Sequence, residues 1–165
     1  MNTWVILGTL VFVLALMLVT DMLVQRKETK HKMSFMEGLN LTGLPVVTMV
    51  NNGKKLNFVL DTGSVHSLIN KSVIQHIEYN ETEYVATLSG IDNITREEEN
   101  AIEIPLQYKG KITRSIFVVT GLSTCFDEIK KETGVQLHGL LGSDFFVENR
   151  YIIDYNEMVA YSKRI

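Results

Sequence analysis

The sequence predicts an all-β domain with a few short helices that closes on itself, preceded by a single apolar helix. Three observations carry this. From residue 41 onward, short runs rich in Val, Ile, Leu and Phe alternate with turn dipeptides such as Asn52-Gly53, Ser89-Gly90 and Lys109-Gly110. Many short strands at this spacing form sheets that must pack or close. Only brief stretches, after Asn70, after Ser123 and after Ser143, read as helical. Ahead of all this, the first 20 residues carry no charged side chain.

With 165 residues there is room for one domain with a core, plus an appendage. The formal net charge of −3 provides no basic field, so nucleic acid is not an expected partner. Cys125 is the single cysteine, which excludes an intramolecular disulfide, and the four His show no metal-ligand spacing. Neither a metal nor another cofactor is expected.

Residues 1–24 are long enough as a helix, about 30 Å over the uncharged run, to cross a bilayer. A cleaved signal peptide would open on a basic segment and end in a small-x-small site. This chain opens on Met-Asn-Thr and has no such site after Val19. Secretion after cleavage stays the alternative. No Lys or Arg precedes the run, whereas Arg26, Lys27, Lys30 and Lys32 follow it. Positive residues stay on the cytoplasmic side, so the expectation is a single-pass membrane protein with its C-terminal domain in the cytoplasm. Asn40, Asn70, Asn80 and Asn93 begin Asn-x-Ser/Thr triplets, which matter only in a eukaryotic secretory lumen. Residues 25–40 are charged and read as a tether, which leaves 41–165 as the folded domain.

Within that domain, two β segments flank Asn52-Gly53, a strong hairpin signal. Asn70 is expected to cap a helix over Lys71–Ile77. Strands follow over Tyr84–Gly90 and between Ile94 and Thr120, with Glu97, Glu98 and Glu99 in a solvated loop or hairpin tip. Ser123 or Thr124 caps a helix over Cys125–Thr133 that stops at Gly134, with Cys125 as buried filling. Ser143 and Asp144 are expected as caps of a helix over Phe145–Asn149. A strand from Tyr151, a turn at Asn156 and a closing strand complete the chain.

The chemistry concentrates in Phe58-Val59-Leu60-Asp61-Thr62-Gly63-Ser64. Asp and Gly are turn formers, so an ordinary turn between strands is one reading. Turns seldom begin inside so apolar a run, and an ionisable group at the end of a buried strand is costly. An apolar pair followed by Asp-Ser/Thr-Gly-Ser/Thr arises by chance in roughly one chain of this size per several hundred. A second stretch, Leu137-His138-Gly139-Leu140-Leu141-Gly142-Ser143-Asp144-Phe145-Phe146, lies downstream. Together the two resemble the aspartic peptidases of the retropepsin type, and the Leu-Leu-Gly-Ser-Asp-Phe-Phe form is similar to the cellular and bacterial members. The resemblance covers residues 41–165.

That resemblance implies a closed retropepsin-type β-barrel and an aspartic endopeptidase acting on protein or peptide substrates. It implies catalysis by Asp61, with Thr62 bonding its counterpart in a second copy and Gly63 bringing an amide against the carboxylate. Ser64 would bond the outer carboxylate oxygen, and Ser67 would satisfy the returning loop. Leu140, Leu141 and Gly142 would thread through that loop, the glycine letting the chains pass. Viral members often place acidic residues where this chain has Val65 and His66; His66 could touch substrate or stand exposed without a role. A flap is expected over Tyr84–Asn93, centred on Ser89 and Gly90.

Two carboxylates held close share one proton, so one serves as base and the other as acid. No second Asp-Thr/Ser-Gly exists, since Asp127, Asp144 and Asp154 lack the motif. Asp61 must then pair with Asp61 of another copy across a two-fold axis, which makes a homodimer the expected active form. The alternative is a catalytically silent dimeric module that binds a peptide in the same groove.

Overall fold

The computed structural model describes residues 3–29, 32–89 and 95–162, with side chains over 7–23, 32–87 and 100–162. The chain divides into two units, Met1–Lys32 and Met33–Ile165. The first unit is helix α1 (Thr3–Thr29), and its side chains over residues 7–23 are exposed. Among the described residues no helix is long and apolar enough to cross a membrane. The helix expected at this end forms, but the membrane span expected of it gains no support from the structure.

The second unit begins earlier than the sequence suggested. Residues 33–40, expected as tether, are folded: strand β1 (Met33–Ser34) and helix α2 (Met36–Thr42) flank a fully buried Phe35. The charge of the preceding segment masked Met33 and Phe35, both core residues at 0% exposure. Gly38 lets α2 lie directly on the next strand, because a Cβ there would sit 2.5 Å from the Val46 carbonyl oxygen.

Strands β2 (Val46–Asn51) and β3 (Lys54–Leu60) form the expected hairpin. Asn52 and Gly53 turn it with φ of 43° and 81°, the positive values that match the twist of the strands. Strand β4 (Leu68–Asn70) precedes a 3-10 helix (Lys71–His76), a tighter form than the α-helix expected there. Asn70 does not cap it. Its Oδ1 accepts the Leu122 N–H at 3.3 Å and its Nδ2 donates to Ser123 Oγ at 3.2 Å, fastening the next helical segment instead.

Strands β5 (Asn80–Ser89), β6 (Thr95–Tyr108) and β7 (Lys111–Thr120) form a long antiparallel meander. Glu97, Glu98 and Glu99 lie within β6, not in a loop; Glu98 and Glu99 pair with Thr87 and Ala86. Helix α3 (Ser123–Thr133) follows and ends at Gly134 in the left-handed conformation, as expected. Neither Ser123 nor Thr124 caps it with a side-chain bond, since Leu122 occupies the N-cap. Cys125 is exposed on α3, a correction to its expected burial; Phe126 is the residue that α3 buries. Strand β8 (Gly139–Leu141), helix α4 (Ser143–Glu148) and the hairpin of β9 (Tyr151–Asp154) and β10 (Val159–Ser162) complete the unit.

The larger sheet runs β2-β3-β8-β4-β7-β6-β5, and Val50 of β2 also pairs with Gln107 of β6. Six strands thereby close into a barrel, and β5 extends outside the ring. The closed β architecture with short helices is as expected. Alternation along β2 and β3 sends Val47, Met49, Leu56, Phe58 and Leu60 inward, where they meet Ile69, Ile104, Leu106, Phe117 and Leu141. A second sheet, β1-β10-β9, joins the first strand of the unit to its last hairpin. Phe145 and Phe146 of α4 pack into the same core.

Candidate active site

Asp61 follows β3 at the point where the parallel partner β8 also ends. Leu60 lies beside Leu141, and the Asp61 N–H donates to the Leu141 carbonyl oxygen at 2.9 Å. The apolar strand therefore delivers the carboxylate to the rim of the barrel, where it is half-buried. The turn then folds on itself: Gly63 N–H donates to Asp61 Oδ1 at 3.0 Å and Ser64 N–H to the Asp61 carbonyl oxygen at 3.2 Å. A Cβ on Gly63 would lie 3.2 Å from that same Oδ1. Ser64 does not bond the carboxylate in a single copy; its hydroxyl donates to the His66 carbonyl oxygen at 2.7 Å. Thr62 is exposed at the tip, where a neighbouring chain can reach it.

The second stretch holds the first from below. Gly142 N–H donates to Ser67 Oγ at 3.0 Å, and a Cβ on Gly142 would stand 2.5 Å from the His66 carbonyl carbon and oxygen. Only glycine permits that crossing. Gly139 is equally confined, with 2.3 Å between its would-be Cβ and the Leu68 carbonyl oxygen. β8 thus lies between β3 and β4, with Leu140 in register with both Val59 and Leu68.

Two residues read from sequence as helix caps prove to belong to the loop. α4 begins at Ser143 with Gly142 at its N-cap. The Ser143 hydroxyl donates to the Thr62 carbonyl oxygen at 2.8 Å, and the Ser143 N–H to that of Ser64 at 2.8 Å. Asp144 accepts the Ser67 N–H on Oδ2 at 2.8 Å and the Ser67 hydroxyl on Oδ1 at 2.7 Å. It also takes the Phe145 N–H on Oδ1 at 2.6 Å. Ser67 is fully buried, so its donors have no water to turn to. A carboxylate placed two residues after the glycine of a loop-threading stretch was the available signal.

His66 faces the same carboxylate, Nδ1 standing 3.9 Å from Asp144 Oδ2, and its ring lies edge-on to Tyr84 of β5 at 6.3 Å. The loop therefore touches the strand that leads to the expected flap. That hairpin is present, closing with Ser89 opposite Thr95, while Gly90 lies outside the described residues. His138, just before β8, accepts the Asn57 N–H on Nδ1 at 3.0 Å, and burial lowers its pKa from the ordinary imidazole value. A groove of 680 Å³ beside α2 is lined by Leu41, Thr48, Lys55, Asn57 and Tyr108 and includes no residue of the Asp61 loop. Among the described residues no cluster of His, Cys, Asp and Glu is arranged to hold a metal ion.

Comparison with known proteins finds structural and family similarity. A solved structure of the retroviral protease-like domain of Ddi1 from Leishmania major is similar, with 16% identity, a TM-score of 0.47, and coverage of 73% of this chain and 88% of that one. So is EIAV protease complexed with the inhibitor HBY-793, with 19% identity, a TM-score of 0.44, and coverage of 66% and 90%. No curated protein sequence matches the chain. The family model described as aspartyl protease matches residues 46–145, a span that includes the Asp61 loop, β8 and the start of α4. By that match over more than half its length, the chain belongs to the aspartyl protease family, of the retropepsin-like kind that its two motifs resemble.

Proposed function

We propose that the chain is an aspartic endopeptidase whose active site forms between two copies, each contributing Asp61. The observation that carries this reading is the loop itself. One carboxylate stands at the barrel rim, its backbone fixed by Leu141 and its side chain by Gly63, and no second motif accompanies it. Two such groups across a two-fold axis share a proton, because like charges a few Å apart cannot both ionise at ordinary pH. The ionised Asp61 takes a proton from water as the water oxygen bonds to the scissile carbonyl carbon. The protonated partner gives its proton to the carbonyl oxygen, leaving a tetrahedral diol. One carboxyl then gives its proton to the amide nitrogen while the ionised one takes a hydroxyl proton from the diol, so the C–N bond breaks, acid and amine leave, and the pair again holds one proton. The pair titrates as a unit.

On sequence grounds the reading extends to location. The uncharged run of the first 20 residues and the Lys and Arg after it support a single-pass anchor with the peptidase domain in the cytoplasm. A processing or regulatory role suits such a tethered enzyme. Incubation of the purified chain with a diverse peptide pool tests the activity: cleavage of internal bonds is expected, lost by about 10²-fold or more in Asp61→Asn. Equal cleavage by parent and variant would refute the reading.

A further inference from the structure

We infer that the end of the barrel opposite Asp61 docks on an anionic lipid surface, and this rests on the anchored reading above. Four strands meet at that end in one continuous row. Lys55 of β3 pairs with Val50 of β2, Val50 with Gln107 of β6, and Gln107 with Ile112 of β7. Directly opposed residues share a face. Their chain neighbours Leu56, Met49, Leu106 and Thr113 are buried, so the row points outward. Lys55 and Gln107 are exposed, and Ile112 is 62% exposed just after the turn that carries Lys109 and Lys111. Lys109 holds that turn at φ 46°, the left-handed conformation that suits Asn, as at Asn52 on the adjacent turn. Lys55 and Lys109 line one groove, which Glu37 also lines. A large apolar side chain beside lysines at a turn suits a headgroup boundary. Ile112 enters its apolar edge, and the ammonium groups meet phosphates.

The occupant is a membrane for two reasons. The first is that charge is segregated along β6. Glu97, Glu98 and Glu99 lie near its start, Lys109 follows its end, and Lys111 opens β7. An anionic surface attracts one end of such a domain and repels the other. The second is the point where the chain enters. Ser34, in the first strand of the folded unit, donates its N–H to the Tyr108 hydroxyl at 3.2 Å, next to Lys109. The sequence just before it carries Arg26, Lys27, Lys30 and Lys32. An anchor in that preceding sequence therefore tethers the barrel by its basic end. β3 carries Asp61 away from this end, at most about 20 Å from Lys55. Substrate and second copy then reach the Asp61 loop from water.

The test uses the full chain in vesicles of phosphatidylcholine, with or without about one third phosphatidylserine. One fluorophore sits on Ile112→Cys in a Cys125→Ser background. The control carries it on the native Cys125, on the helix that follows the far end of β7. With phosphatidylserine present, a nitroxide on the lipid headgroup should quench the label at position 112 at least about threefold more than the control. Lys55→Glu combined with Lys109→Glu, both at exposed positions, should keep the parent's melting temperature and abolish the difference. Salt at about 1 M should abolish it too. Equal quenching at the two positions, in vesicles that retain the chain through an alkaline wash, would overturn the docking and leave the anchor standing. Loss of the chain to that wash, after phosphatidylserine-dependent quenching, would remove the anchor and support the docking. A chain that binds neither vesicle would overturn both. Shielding of the label at position 112 that grows with protein concentration in detergent alone would assign the row to a second copy and overturn the lipid contact.

Discussion

Asp144 holds both donors of Ser67, the N–H at 2.8 Å and the hydroxyl at 2.7 Å, and so ties α4 to the loop that carries Asp61. Hydrogen bonds to a charged group contribute about 1.5–3 kcal/mol, and a buried donor left without a partner costs a similar amount. Asp144→Ala should lower unfolding free energy by about 2 kcal/mol or more, read by urea denaturation, and reduce kcat beyond what lost folded protein explains. Asp144→Asn, which keeps one acceptor, should fall between.

The crossing at Gly142 gives a sharper contrast. Ala there would press its Cβ to 2.5 Å from the His66 backbone, which cannot yield as a flexible side chain would. Gly142→Ala is expected to cost about 3 kcal/mol or more, and Gly121→Ala, which meets nothing within 4 Å, to stay within about 0.5 kcal/mol. Thermal melts of the two variants compare them directly.

His138 makes stability depend on pH. Its Nδ1 accepts the Asn57 N–H, so a proton on that nitrogen breaks a link between β3 and the start of β8. Burial holds the folded pKa below the unfolded value near 6.5. The folded state thus binds its proton later than the unfolded chain does as pH falls. Stability from this site is complete above about pH 6.5 and is lost progressively as pH drops below it. Denaturation midpoints at pH 7.5 and pH 5 should differ, and the difference should shrink in His138→Gln.

Cys125, exposed on α3, is a native reporter of location. With the domain in the cytoplasm, a membrane-impermeant maleimide should leave it unmodified in intact cells and modify it after permeabilisation. Modification in intact cells would reverse the assignment.

The barrel was legible because its signals are local. Asn52-Gly53 needs positive φ at both residues and has it, and the alternation of β2 and β3 sorts core from surface unaided. The Asp61 loop was legible for the same reason, as a carboxylate at the end of an apolar run. What escaped depends on partners distant in sequence. Asp144 and Ser143 bond residues more than 75 positions away, and Asn70 turns from its own helix to Leu122 and Ser123. Short polar side chains at a helix start look alike whether they cap that helix or fasten another segment. Phe35 was hidden by its charged surroundings, and Cys125 by the tendency of free cysteine to be buried.

The central claim is that one active site needs Asp61 from two chains. Refolding the parent together with an equal amount of Asp61→Asn chain tests it most directly, because random pairing leaves about a quarter of the dimers with both carboxylates. Total activity should fall to about one quarter of that from the same amount of all-parent protein and approach zero with excess variant. Activity that stays at about one half, in proportion to the parent chain present, would mean that each copy works alone and would contradict the shared site.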